Sequence, residues 1–202
     1  MNAVATYFSI GFHHIVNWTA LDHILFIVAL SLRYKFSDWV KLLILITAFT
    51  IGHTTTLALV VFNLFSMDRA WIEFLIPVTI AVMAVSNFFV KKFTFNSKFP
   101  FIYFVALIFG FIHGLGFSND LKNLISNGHN IIIKLLAANF GIEAGQICFV
   151  IGVLLVTFIV TAILRINRRD YLLFISAGIF ALAVEMAVER IPHSLLLHSI
   201  HF

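Results

Sequence analysis

The sequence has little charge and almost no cysteine, and both shortages exclude common classes of protein. Of its 202 residues only 11% are charged, and Cys148 is the single cysteine. One cysteine excludes an intramolecular disulfide and a metal site of the CxxC type. No HExxH or other recognised hydrolase motif occurs either. With so little polar material, a domain of this size cannot cover its apolar side chains in water.

What the chain has in abundance is apolar and aromatic side chains. It is 61% hydrophobic with 24 Phe residues, and its mean hydropathy is +1.05. We expect one transmembrane domain over residues 1–202, with the lipid bilayer as solvent. The net charge of +4 is spread over small clusters that flank apolar runs, which favours membrane topology over nucleic-acid binding. The first residues contain no basic n-region, so we expect no signal peptide.

Six apolar segments are candidates for helices that cross hydrocarbon, a crossing that takes about 20 residues. The first is short and is extended by an amphipathic stretch over 3–16. The fifth is long, so its first turns are expected to lie in the interface or to break near Gly141. The predicted spans are 20–33, 40–63, 71–90, 99–117, 133–164 and 171–189.

The loops between these spans alternate in charge. The first, third and fifth hold the basic excess, whereas the second and the fourth, at about 118–132, are close to neutral. By the positive-inside rule the odd loops are cytoplasmic and both termini are external. We therefore predict an all-α polytopic protein of the bacterial inner membrane, a bundle of about six transmembrane helices with periplasmic termini. The basic residues of the odd loops are Arg33, Lys35, Lys41, Lys91, Lys92, Lys98, Arg165, Arg168 and Arg169.

On this topology, ionisable side chains from separate elements share one depth in the outer half of the membrane. Such groups cost several kcal/mol unless they are paired or bound to metal, which makes them candidates for function. Several imidazoles together with carboxylates form a ligand set for divalent zinc or nickel. The residues are His14, Asp22, His23, His53, Glu73, His113, Glu143 and Glu185.

Five of these groups also have an ordinary structural explanation. Asp22 follows Thr19 at the spacing of a capping box. His53 lies among threonines that can bond a neighbouring helix, and His113 can bond a backbone carbonyl. Contact with water accounts equally well for Glu73 and Glu185. The remaining histidines are expected to be exposed, namely His129, His193, His198 and His201.

Two GxxxG motifs, Gly110-Phe-Ile-His-Gly114 and Gly141-Ile-Glu-Ala-Gly145, each enclose one ionisable residue. Such motifs let helix backbones approach closely. Three polar residues fall within about 60° on one face of the fifth span, so they predict a polar ridge towards a neighbouring helix. They are Asn139, Glu143 and Gln146.

Several stretches together resemble the HupE/UreJ family of bacterial membrane proteins. They are His14-Ile, Leu21-Asp-His-Ile-Leu-Phe26, Thr47-Ala-Phe-Thr-Ile-Gly-His-Thr54, Trp71-Ile-Glu73, Phe109-Gly-Phe-Ile-His-Gly-Leu-Gly-Phe117 and Asn139-Phe-Gly-Ile-Glu-Ala-Gly-Gln146. The chain departs from the usual pattern at Asn17-Trp18-Thr19, where the family has a glycine, and at Thr54, where it has serine.

The resemblance implies a nickel or cobalt permease that serves hydrogenase or urease maturation, with metallochaperones or maturation proteins as partners. The metal ligands that it implies are His14, Asp22, His23, His53, His113 and Glu143. We expect supporting roles for Thr54, Glu73, Asn139, Gln146 and Glu185.

Transport of a divalent transition metal, nickel first, is the leading expectation, with the ion entering from the outer side. The inner halves of the spans look almost wholly apolar, however, and that favours a rival. An intramembrane zinc hydrolase acting on a lipid or lipid-linked substrate needs no inner path, and Glu143 or Asp22 would be its general base. A membrane scaffold with a structural metal is the third alternative.

Overall fold

A computed structural model describes residues 3–17, 21–90, 101–125 and 130–192, and this part of the chain is helical without strands. Its α-helices are α1 (Ala3–Val16), α2 (Leu21–Ser31), α3 (Trp39–Val61), α4 (Arg69–Phe88), α5 (Ile102–Ile125), α6 (Ile131–Phe158) and α7 (Arg168–Glu189). A short 3₁₀ turn precedes α3, and α6 ends in a π-helical turn over Ile159–Ile163.

Two helices begin at a side chain that caps the first turn. The Asp68 carboxylate accepts a hydrogen bond from the Ala70 amide at the start of α4. Asn167 does the same for the amide of Arg169 at the start of α7. Both caps satisfy amides that a helix leaves without partners, and so they fix where the chain enters each helix.

The helices differ from the predicted spans in three places. The first span is broken, because α1 and α2 are bent by 70° relative to each other. The predicted break near Gly141 is wrong, since α6 is continuous through this residue. The predicted fourth loop begins too early, because α5 continues to Ile125.

Within the described residues four helices are long and apolar enough to cross a membrane, and the α1–α2 pair raises the number to five when counted as one broken span. The multi-pass, all-helical character of the chain is confirmed. The apolar part of α5, Ile102–Ser118, is shorter than the other candidates. The count of six and the external position of both termini therefore stay predictions, as do those about loop three, since 91–100 lies outside the described residues.

The helices associate in three close pairs, α3 with α5, α1 with α6 and α4 with α7. Both GxxxG motifs lie in these contacts, as predicted. A Cβ added at Gly110 would overlap the Phe49 carbonyl of α3, and one at Gly141 would overlap the Phe8 carbonyl of α1. The small residues thus let backbones touch, and van der Waals contact of this kind drives helix association in lipid.

The short helix α2 lies between these pairs, in contact with α1, α4, α6 and α7. Its side chains are mostly buried, including Phe26, Ile27 and Leu30. Phe26 packs against Phe49 of α3 and Phe109 of α5. As a result, the histidine-bearing parts of α1, α2, α3 and α5 meet around one point inside the protein.

Candidate metal centre

Three histidines from three helices converge at that point. His14 comes from the last turns of α1, His23 from the first turn of α2, and His53 from the middle of α3. Their candidate ligand atoms all lie within 4.8 Å of one another. In a tetrahedral site with metal–ligand bonds of about 2.1 Å, the ligand atoms are about 3.4 Å apart. Binding of an ion would therefore require the distances between the ring nitrogens to shorten by at most about 1.4 Å. We call these residues the three-histidine cluster.

The nitrogen atoms of this cluster are buried and largely without partners. Both ring nitrogens of His23, both of His53 and the Nε2 atom of His14 have no hydrogen-bond partner among the described residues. A buried polar atom left unpaired costs about 1–3 kcal/mol. Aromatic contacts hold the rings in place, since His14 stacks on Phe117 with 3.7 Å between ring centres. The arrangement is suited to imidazoles whose lone pairs bind something other than protein.

His113 of α5 lies beside the cluster, with its ring centre 5.4 Å from that of His23. The Thr79 hydroxyl of α4 donates to the Ile76 carbonyl at 2.7 Å, so its oxygen accepts from Nε2 of His113 at 3.0 Å. With the Thr79 hydrogen on the Ile76 carbonyl, the neutral ring would carry its proton on Nε2 and its lone pair on Nδ1, which has no hydrogen-bond partner among the described residues. This is the arrangement of a metal-ligating histidine held by an outer hydrogen bond.

The two carboxylates predicted as ligands do not belong to the three-histidine cluster. Asp22 faces Arg190 at the end of α7, which donates to both carboxylate oxygens at 3.1 and 3.3 Å. Its alternative as a capping box with Thr19 lies outside the described residues. Glu143 accepts a hydrogen bond from Thr47 of α3 at 3.0 Å. Neither carboxylate is among the described groups whose ligand atoms lie within 4.8 Å of one another.

Glu143 instead belongs to a set of three hydrogen bonds between α3 and α6. Each bond joins a threonine of α3 to an amide or carboxylate of α6, and the predicted polar ridge is thereby confirmed. We call this set the α3–α6 ladder. Its bonds are Thr47 to Glu143, Thr50 to Gln146 and Thr54 to Asn139.

The other predicted residues lie away from the cluster. Glu73 pairs with Arg69 on the exposed first turn of α4, and Glu185 is exposed on α7. His13 is exposed as well and contacts the Ser9 carbonyl. The remaining histidines, at 129, 193, 198 and 201, fall outside the described residues.

Two residues of this region were not predicted as part of a site, Thr79 and Arg190. Thr79 is a single hydroxyl in an apolar span, a weak signal, because such residues often bond only their own helix. Arg190 ends the last span, where a basic residue is typical of topology. Its partner Asp22 is 168 positions away, so no local pattern connects the two.

The ends of α2 and α4 that are predicted to be cytoplasmic hold more buried polar groups than the sequence indicates. Arg33, just after α2, is buried and donates to the Asn87 side chain of α4 at 2.6 and 3.0 Å and to Ser86 at 2.7 Å. Asn87 in turn donates to the Ala29 carbonyl and to Ser176 of α7. The guanidinium of Arg33 stays charged, as arginine side chains do in proteins.

The family model of the HupE / UreJ protein matches residues 1–190 of the chain. No curated protein and no solved structure matches this chain.

Proposed function

The chain belongs to the HupE/UreJ family, and from that premise we propose that it carries a divalent transition-metal ion, nickel first, across the bacterial inner membrane. The ion is the cargo and is held in passing by the three-histidine cluster. One observation supports this most directly. The cluster gathers buried imidazole nitrogens that have no partner in the part of the chain that the structure describes, and such nitrogens are ligands for divalent transition metals.

The chemistry of the ligands accounts for selectivity. Imidazole nitrogens bind nickel, cobalt and zinc, whereas magnesium and calcium require oxygen ligands. We propose Nδ1 of His113 as a fourth ligand, because Thr79 leaves its lone pair available. The preference for nickel among these metals rests on the family, since these ligands alone also suit zinc.

The carboxylates have separate roles in this proposal. Asp22 lies next to His23 in the chain and is partly exposed beside Arg190. We propose it as the first group that an incoming cation meets, supplying negative charge that neutral imidazoles lack. Glu143 holds α6 against α3 through the α3–α6 ladder, in which Thr47 donates to one of its two carboxylate oxygens. Metallochaperones or maturation proteins are the proposed recipients.

Flux into proteoliposomes that contain a metal-sensing dye tests the proposal. Wild-type protein should carry Ni²⁺ inward, and His53→Ala should abolish the flux together with binding, because ligands contribute more than the 10–100-fold of outer-shell partners. His13→Ala is the matched control, since His13 is exposed and outside the cluster. Tight stoichiometric metal without flux at any pH or membrane potential would reject transport.

A further inference from the structure

We propose that one face of α4 forms the inner half of the ion's path, and that Arg33 closes its inner end. The face consists of Thr79, Met83, Ser86 and Asn87, which we call the inner column. The inference rests on the proposed transport function and adds to it the second half of the route. A permease needs polar groups on both sides of its binding site, and the inner column supplies them on the inner side.

The inner column is connected to the three-histidine cluster at one end. His23 lies beside His113, and His113 contacts the Thr79 hydroxyl at 3.0 Å. An ion that leaves the histidines on this side therefore meets an oxygen of α4 first. Thr79 is itself buried, so this contact lies within the protein and away from lipid.

The four residues follow one another along a single face of α4. At 100° per residue they fall within about 100° of the helix surface, and Thr79, Met83 and Ser86 occupy neighbouring turns. Met83 is 1% exposed, and the Ser86 hydroxyl lies 3.7 Å from its sulfur. A thioether and two kinds of oxygen make successive weak ligands for a borderline or soft cation, and weak ligands allow an ion to move on.

At the other end of the inner column lies a buried positively charged side chain, that of Arg33. Arg33 donates to Ser86 and twice to the Asn87 oxygen, so it occupies the last two oxygens of the route. No carboxylate in the described ranges contacts Arg33. Its charge is therefore uncompensated by an ion pair, and in a medium of low dielectric constant it repels a divalent cation strongly.

A purely structural role for Arg33 is the alternative that the contacts also allow. Through Asn87 it connects α2 to α4 and, by the bond to Ser176, to α7. A residue that only connects helices needs hydrogen bonds, however, and glutamine or serine can supply them without a buried charge. Burial of a charge costs free energy because the group loses its hydration. The two roles differ in what happens when the charge alone is removed.

The decisive variant is Arg33→Gln, which keeps a donor for Asn87 and removes the charge. We expect the initial rate of Ni²⁺ flux to rise about tenfold, a barrier lower by roughly 1.4 kcal/mol, with an unchanged Kd for Ni²⁺. Arg33→Lys keeps the charge and should transport as wild type does. Arg169→Gln is the matched control, because it removes one positive charge from an exposed position on the same side.

Flux in Arg33→Gln that equals or falls below the wild-type rate, at unchanged Kd, would overturn the inference while leaving transport intact. A wild-type protein that neither binds nor moves Ni²⁺ would instead refute the proposed function. Met83→Leu, a swap of similar volume, should lower the flux without changing Kd, and an unaltered rate would remove Met83 from the path.

A second measurement does not depend on metal. In a Cys148→Ala background, Met83→Cys is applied with and without Arg33→Gln, and a small cationic thiol reagent is added from the side that carries Arg33. Labelling of Met83→Cys should be at least about tenfold faster when Arg33→Gln removes the charge, because the barrier for a cation should fall by the same amount as for Ni²⁺ flux. Equal rates in both backgrounds would show that Arg33 does not close the column.

Discussion

At the scale of single residues, the orientation of the imidazole rings depends on hydroxyl groups as much as on packing. The Nε2 atom of His113 is hydrogen-bonded to Thr79, and its Nδ1 atom has no partner within the described ranges. Because the Thr79 hydrogen is used by the Ile76 carbonyl, the tautomer of His113 follows from two hydrogen bonds. A metal ligand whose tautomer is fixed in advance loses less free energy on binding.

Replacement of Thr79 by valine should therefore weaken metal binding although Thr79 is not a ligand. The valine has a similar shape but cannot accept from Nε2 of His113, so the ring can adopt either tautomer. We expect the Kd for Ni²⁺ to rise by about 10–100-fold, as for other outer-shell partners, measured by titration calorimetry of the purified protein. Thr79→Ser keeps the hydroxyl and should restore affinity. Equal Kd values for the threonine, serine and valine forms would show that Thr79 only fills space.

At the scale of elements, the site depends on how closely α3 and α5 approach. His53 and His113 belong to these two helices, and Gly52, Gly110 and Gly114 lie in their contact. A Cβ at Gly110 would overlap the Phe49 carbonyl, which cannot move without displacing α3. The same glycines that pack the pair also set the distance between two histidines.

Gly110→Ala should consequently reduce both stability and metal affinity. Overpacking of a close contact typically costs about 1–3 kcal/mol, which should appear as a lower midpoint in thermal unfolding in detergent, together with a weaker Kd for Ni²⁺. Gly178→Ala on α7 is the control, because a Cβ there meets open space and alanine is the better helix former by about 1 kcal/mol. Gly178→Ala should unfold at or slightly above the wild-type temperature. If Gly110→Ala does the same and keeps its Kd for Ni²⁺, close packing of α3 on α5 is not what holds the site.

The sequence predicts these elements better than it predicts their ends and partners. Hydropathy and loop charge locate the spans, and the GxxxG motifs and the polar ridge on α6 are confirmed in their contacts. The 70° bend between α1 and α2 has no such signal. The pair of Asp22 with Arg190 and the burial of Arg33 are also missed, because both depend on helices distant in sequence. In the sequence, a basic residue after a span indicates topology whether water or protein surrounds it, so the burial of Arg33 leaves no trace there.

At the scale of the whole molecule, the contacts give each helix a direction relative to its neighbours. Residue numbers rise together along α3 and α5, where Phe49 meets Gly110 and Asn63 meets Lys122, so this pair is parallel. They run oppositely in α4 and α7, where Asn87 meets Ser176 and Val78 and Val188 line one groove. Parallel odd helices and an antiparallel α4–α7 pair are what a chain crossing the membrane once per helix requires.

Such a chain has one side with the ends of α2, α4 and α6 and another with the ends of α3 and α5, and loop charge predicts that the former is cytoplasmic. Two exposed serines provide a matched test, Ser37 before α3 and Ser66 before α4. In a Cys148→Ala background, an impermeant maleimide should label Ser66→Cys in spheroplasts, and Ser37→Cys only after permeabilisation. The replacement is nearly isosteric at both positions, so differences in folding cannot mimic the result. Labelling of Ser37→Cys from outside would show that the orientation is the reverse of the predicted one. Metal that enters past Asp22 would then come from the cytoplasm.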